Sequence, residues 1–401
     1  MSSNSTDIAR VFTPTNINIE NICSSFISND DNIPSIIITP SESVYYIICN
    51  PNNHSSYELY KKYTNRNYRY EFFVPNYELC RLLVSINDIE DKILRSICNN
   101  FWNKSKNPDT ISIKLKSSSY INPELLSYKS KNEHITLTYS NNNIIKKLQE
   151  YSMMPLLAQI LYINDVPCSH YDQFMDYYED KNLIIIKQEE ICDRCCIPTE
   201  IYIENNIIWI LNMGIISKND IEEALEKDGI TDIIVQYSDT IKLLSTIEPV
   251  IKMPINKSIY LLRWFHNDIV TPKSILEELK DKMSDYFSNL LFIDFNKRNQ
   301  SIIKYCGGYV DISEHGNIIE GIKNLYYIIH AVTKINNIKK IVFYDAYSYH
   351  NLDTNNLYNT LYNMILLYTG HNELLIPIEY IPTEYVTKYV ENSCDCMECV
   401  D

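Results

Sequence analysis

Residues 33–50 read IPSIIITPSESVYYIICN, and the chain is organised around this stretch. Residues 35–39 are mostly β-branched and end at Pro40. The polar run Ser41, Glu42, Ser43 follows, and then the apolar VYYII. Proline cannot donate to a strand ladder and biases the residue before it towards extended geometry. The pattern predicts a strand, a forced break and a second ordered element.

Working outward, the 401 residues are too many for one typical core, so two domains are expected. Apolar residues at 45% permit ordinary globular folding, and a net charge of −15 argues against nucleic-acid binding by the whole surface while leaving room for a local basic patch. There is no charged leader followed by an apolar run, and nowhere 18 uninterrupted apolar residues. A soluble, cytoplasmic protein with no membrane partner is expected. Its 12 cysteines fall short of a disulfide scaffold and would stay reduced in the cytoplasm. The abundance of Asn, Ile, Tyr and Lys points to an A+T-rich genome, such as that of a virus, in which case the compartment is the host cytoplasm. Asn runs read as loops.

Along the chain, residues 1–27 form a polar extension. A helix is expected over 56–63, running into the basic KKYTNRNYR with Lys61, Lys62, Arg66 and Arg69. These cations read either as a solvated helix end or as a phosphate site. FFVPNYELCRLL predicts a strand and a helix, and IEDKILRSICNNFW a second helix. Strict alternation over TISIKLK, residues 110–116, predicts a half-buried strand. Further on, ITLTYSNNNIIKKLQEYSMM reads as strand, turn and helix, YDQFMDYYED as a helix, and 183–186 as a short strand. SKNDIEEAL is a helix with Ser217 as its N-cap. After a linker over 233–257, strands and helices alternate through SIYLLRWF, ILEELKDKMSDYF, LLFIDF, EHGNIIEGIKNLYYIIHAVTKI and KKIVFYDA, which predicts a mainly parallel sheet.

PSESVYYIICN resembles the PTETVYGLGAN signature of the YrdC/Sua5 proteins, which make the threonylcarbamoyl-adenylate used in tRNA modification. Further segments follow in that family's order, over about residues 28–388. Phe101-Trp102 and Pro108 with Thr110 match FWPGPLTLVL. ITLTYS through residue 162 follows VRVPDH…LPLAAPSAN, and residues 192–216 follow CGVGVESTVVDL…LLRPGAI with Gly214 at the turn. Asn324-Leu325-Tyr326-Tyr327 matches NLYYALRELD. The resemblance implies a YrdC-like twisted mixed-sheet α/β domain over 28–232. A smaller Sua5-like α/β domain with a mainly parallel sheet should follow over 258–388, with a Cys-rich tail at 389–401. The functional positions are rewritten. Thr138 stands at an Arg position, Ile160 and Tyr162 replace Ser and Asn, Glu200-Ile201 replace Ser-Thr, and Asn212-Met213 replace Arg-Pro. The nucleotide- or phosphate-binding candidates left are Lys61, Lys62, Arg66, Arg69, Ser41 and Ser43, with no catalytic residue assigned.

CxxCC at 192–196 and CxCxxC at 394–399 each contain a pair at the two-residue spacing of structural zinc sites. Cys192, Cys195, Cys396 and Cys399 could close one such site, or form two unrelated thiol clusters. Three functional readings stand. The first is a non-catalytic descendant of the synthase, acting as a structural or protein-interaction module whose partner is another protein or a second copy of itself. The second is a divergent synthase using ATP with Mg²⁺. The third is an RNA- or nucleotide-binding protein using the basic patch at 61–69.

Overall fold

The computed structural model describes residues 10–13, 20–23, 26, 36–65, 70–102, 111–121, 134–178, 183–238, 258–263, 288–297, 300, 303, 306–344, 356–369 and 373–375. The chain divides into two units, Met1–Ile251 and Lys252–Asp401. In the first unit the elements run β1 (Arg10–Phe12), β2 (Ile36–Pro40), β3 (Tyr45–Cys49), α1 (His54–Tyr63), β4 (Glu71–Phe73), α2 (Tyr77–Leu83) and α3 (Asp88–Ile97). They continue as β5 (Ile111–Lys116), β6 (His134–Thr138), α4 (Asn143–Ser152), β7 (Leu156–Ile160), β8 (Tyr162–Ile163), β9 (Val166–Pro167), β10 (Leu183–Ile186), β11 (Thr199–Glu204), β12 (Ile207–Asn212), α5 (Lys218–Lys227) and β13 (Ile234–Tyr237).

The opening stretch folds as read. β2 and β3 form an antiparallel hairpin in which Pro40 sits opposite Tyr45, at the end of the ladder. Ser41 closes the turn: its Oγ accepts from the backbone N–H groups of Ser43 and Val44 and donates to the Val44 carbonyl. Around this hairpin lies one mixed sheet of eleven strands, in the order β1-β10-β2-β3-β7-β4-β6-β5-β11-β12-β13. β1, inside the segment expected as an extension, pairs with β10. β13, inside the expected linker, pairs with β12.

Helix boundaries are set by side chains. Asn53, Asn76, Asn87 and Asn142 cap α1 to α4, and Ser217 caps α5 in a reciprocal box with Asp220. Each cap satisfies a backbone donor that the first helical turn leaves open, worth about 1 kcal/mol. The segment YDQFMDY departs from expectation. It forms two short 3₁₀ turns, Tyr171–Gln173 and Met175–Tyr177, because the Gln173 carboxamide oxygen accepts from Ser169 and His170 N–H and holds the chain to one tight turn.

Alternation gives the sheet two faces. One carries Ile36, Ile38, Ile47, Phe72, Ile111, Ile113, Leu137, Ile201 and Ile208, which share a core with Tyr57, Tyr60, Ile93, Leu94, Ile97, Ile221 and Leu225 of the helices. Each such side chain contributes about 1.5–3 kcal/mol by burial. The opposite face is apolar over β2, β3 and β7, with Ile37, Tyr46, Ile48, Leu156, Ala158 and Ile160 all buried. Over β4, β6, β5, β11 and β12 it turns polar.

The second unit holds β14 (Ser258–Arg263), β15 (Leu290–Asp294), β16 (Gly308–Asp311), α6 (Ile318–Thr333), β17 (Lys340–Phe343), α7 (Asn356–Thr369) and β18 (Glu373–Leu375). Its sheet runs β16-β15-β17-β14-β18 with every pairing parallel. The expected helix over ILEELKDKMSDYF lies outside the described residues. A mixed-sheet α/β unit followed by a smaller, parallel α/β unit is the architecture that the resemblance implies.

Candidate functional site

The polar half of the sheet brings together residues from four strands in one row. Register places Thr138 opposite Ser112, Ser112 beside Glu200, and Glu200 opposite Asn212. A second row runs Thr136, Lys114, Tyr202 and Trp209, two residues along β6, β5 and β11 and three along β12, where a bulge between Glu200 and Ile201 shifts the register. Thr136, Thr138, Ser112, Lys114 and Glu200 are all buried.

Much of the first row is satisfied within itself. Glu71 of β4 is fully buried and accepts from the Thr138 hydroxyl at 2.5 Å and from Ser112 Oγ at 3.4 Å. The two hydroxyls are themselves 2.8 Å apart. Where the resemblance places a cationic Arg, a threonine hydroxyl therefore holds a buried carboxylate. Glu200 adds a second carboxylate that is 8% exposed. Among the described residues of this face the lysines are Lys114 and Lys116, and there is no arginine.

A further buried carboxylate stands at the hairpin turn. Glu42 is 5% exposed, and its oxygens accept from Ser140 Oγ at 2.6 Å and Asn141 N–H at 3.2 Å, just before α4. Its carbonyl accepts from Arg194 N–H at 2.8 Å. Glu42 so ties the hairpin turn to the start of α4 and to the cysteine turn. Burial holds its carboxyl above the usual range even though these hydrogen bonds pull the other way.

Ser41 and Ser43 are buried, and the Ser41 hydroxyl is consumed by its own turn. Lys61 pairs with Glu58 one helical turn away and lies 4.8 Å from the Tyr57 ring centroid. Lys62 lies over Tyr63 at 4.9 Å and donates to its hydroxyl. Arg66 and Arg69 lie outside the described residues. Tyr46 is buried edge-on against Phe73, with centroids 4.9 Å apart, and fills volume beside Ile160.

Cys192 and Cys195 are buried in one turn, with Cys195 in the left-handed region and its thiol on the Cys192 carbonyl at 2.6 Å. Burial pushes the Cys192 thiol well above its ordinary value. Cys396 and Cys399 lie outside the described residues, among which no three His, Cys, Asp or Glu side chains form a metal-holding group. No described helix is long and apolar enough to cross a membrane.

Sequence reasoning passed over Glu42, Glu71, Ser112 and Lys114. The alternation in TISIKLK did carry a signal for the last two, since it puts Ser112, Lys114 and Lys116 on one side of β5.

No family model matches the sequence, and no curated protein matches it. Among solved structures the chain is similar to P. abyssi Sua5 complexed with L-threonine. That likeness has a TM-score of 0.67 at 13% identity and covers 92% of this chain and 99% of that one. A doubly substituted variant of P. abyssi Sua5 matches with a TM-score of 0.66 at 11% identity, over 92% of this chain and 98% of that one.

Proposed function

Starting from the Sua5/YrdC fold, we propose that this chain is a non-catalytic descendant of a threonylcarbamoyl-AMP synthase that serves as a structural or protein-interaction module. The observation carrying this reading is the row Glu71–Thr138–Ser112–Glu200. Synthesis from ATP, threonine and bicarbonate rests on positioning and on charge stabilisation at the phosphates. That needs fixed cations where negative charge collects. Here the Arg position presents a hydroxyl already spent on a carboxylate, Glu71, and a Ser position presents a second carboxylate, Glu200. Like charge in a poorly solvated site works against a triphosphate.

The module role is supported by the outer strand β13, where Ile234 and Tyr237 are each about half exposed. An outer strand with apolar side chains offers unpaired backbone groups and contact area to another chain.

Calorimetric titration of ATP with Mg²⁺, with and without threonine and bicarbonate, tests the reading. The expected result is weak ATP binding and no threonine-dependent pyrophosphate. Micromolar binding with pyrophosphate release that is lost in R66A or R69A would restore the synthase.

A further inference from the structure

Lys114 is the buried titratable group that the proposed function leaves unused. Only 9% of its surface is exposed, yet its ammonium makes no ion pair or hydrogen bond among the described residues. Its ammonium is not among the polar atoms sealed from solvent, so the stem is buried and the charged end reaches an opening. Ordering a lysine stem costs side-chain entropy that an internal partner ordinarily offsets. Here the internal partner is missing, and the side chain is held ready for an external one.

The neighbours limit what that partner is. Thr136 sits directly opposite Lys114 on β6 and is 5% exposed. Tyr202 sits beside it on β11, its hydroxyl 3.4 Å from His134 Nε2 and its phenol pushed up by burial and by the carboxylate of Glu204, which is a third acidic group on this face. Side chains paired in this way have Cβ atoms about 5 Å apart, close enough for one small group to touch all three. Glu71 and Glu200 flank the position on the same face and repel a second or third negative charge.

We propose that Lys114, with Thr136 and Tyr202 beside it, forms a binding site for the carboxylate of a small organic acid carrying one negative charge. The site goes beyond the non-catalytic reading and does not depend on it, since holding a ligand requires no chemistry. A charge-assisted contact plus one or two neutral hydrogen bonds corresponds to a low-millimolar Kd, about 1–10 mM, for acetate.

The test uses the full chain with its lysines reductively methylated with ¹³C-formaldehyde, the Lys114 resonance being assigned by its loss in K114R. Sodium acetate and inorganic phosphate are then titrated at constant ionic strength. The expected result is a saturable shift of the Lys114 resonance with acetate, at least about tenfold tighter than with phosphate. T136V should weaken acetate by about three- to tenfold. In calorimetry, K114R should keep the acetate binding that K114M loses, which separates charge from folding. A linear acetate response, phosphate binding tighter than acetate, or unchanged binding in K114M would overturn the site. Threonine-dependent pyrophosphate release from ATP that leaves the Lys114 resonance unmoved would overturn the non-catalytic reading alone.

Discussion

Replacing Glu42 by Ala should destabilise the first unit by roughly 2–4 kcal/mol, because it orphans two donors, about 1–3 kcal/mol each, and removes negative charge from the N-terminal end of α4, about 0.3–1 kcal/mol. The donors are Ser140 Oγ at 2.6 Å and Asn141 N–H at 3.2 Å. Against that loss stands relief from burying a carboxylate, which keeps the net figure below the simple total. E42Q keeps an acceptor oxygen at the same place and should cost no more than about 1 kcal/mol. The two variants also differ in pH dependence. The folded-state pKa of Glu42 lies above its unfolded value, so the folded state binds the extra proton. The resulting stabilisation is complete below the unfolded value and erodes as pH rises towards the folded one. E42Q has no such proton, so its stability relative to the parent should improve from pH 4 to pH 7. Urea unfolding followed by tryptophan fluorescence reads both effects, since Trp102 and Trp209 lie in the first unit. An E42A variant within about 0.5 kcal/mol of the parent, or an E42Q difference that shrinks in the opposite direction with pH, would refute the reasoning.

Three further outcomes follow from named contacts. Thr138→Val keeps the shape but removes a donor from buried Glu71 and should cost about 2–3 kcal/mol in urea unfolding; a loss under about 0.5 kcal/mol would show that Glu71 does not rely on it. Gly214→Ala should cost at least about 3 kcal/mol, because a Cβ there would lie 2.5 Å from Thr199 N and 2.6 Å from the Ile197 carbonyl; a wild-type urea midpoint would contradict this. Asn87→Ala breaks the reciprocal cap with Glu90 and should cost about 1 kcal/mol, with faster amide exchange in the first turn of α3 as the direct readout.

Much of the fold was legible in short-range chemistry. Pro40 and the serines after it announced a break between two ordered elements, and the alternation of Ile111, Ile113 and Leu115 with Ser112 and Lys114 announced a strand with one polar face, which packing buries where a half-buried strand was expected. Strand β7 was not legible, because Leu156–Ile160 is buried on both faces and carries no alternation to read. Its place between β3 and β4 is set by partners far away in the chain. The site was harder still. A glutamate inside a strand reads as an exposed position, and only tertiary packing makes Glu71 fully buried on Thr138. Asn142, in a run read as a loop, caps α4, as Asn53, Asn76 and Asn87 cap α1 to α3, because a carboxamide oxygen satisfies the open backbone donors of a first turn. Gly214, expected at a turn, lies between β12 and the bend at 215–216, and it is needed for close backbone approach and not for a left-handed φ.

The strand order also sets a timetable for the growing chain. The β2–β3 hairpin is complete early, yet its outer neighbours are β10 on one side and β7 on the other. About 140 residues separate β2 from β10, which at about 5–20 residues per second is about 7–30 s of synthesis. Through that interval the hairpin presents IIIT and YYIIC, some of the most apolar strands in the protein, with both edges open. Pairing between distant strands is slow to form even after release. During synthesis the vulnerable species is therefore a half-built sheet, and its yield in a cell depends on what shields that hairpin until β7 and β10 arrive.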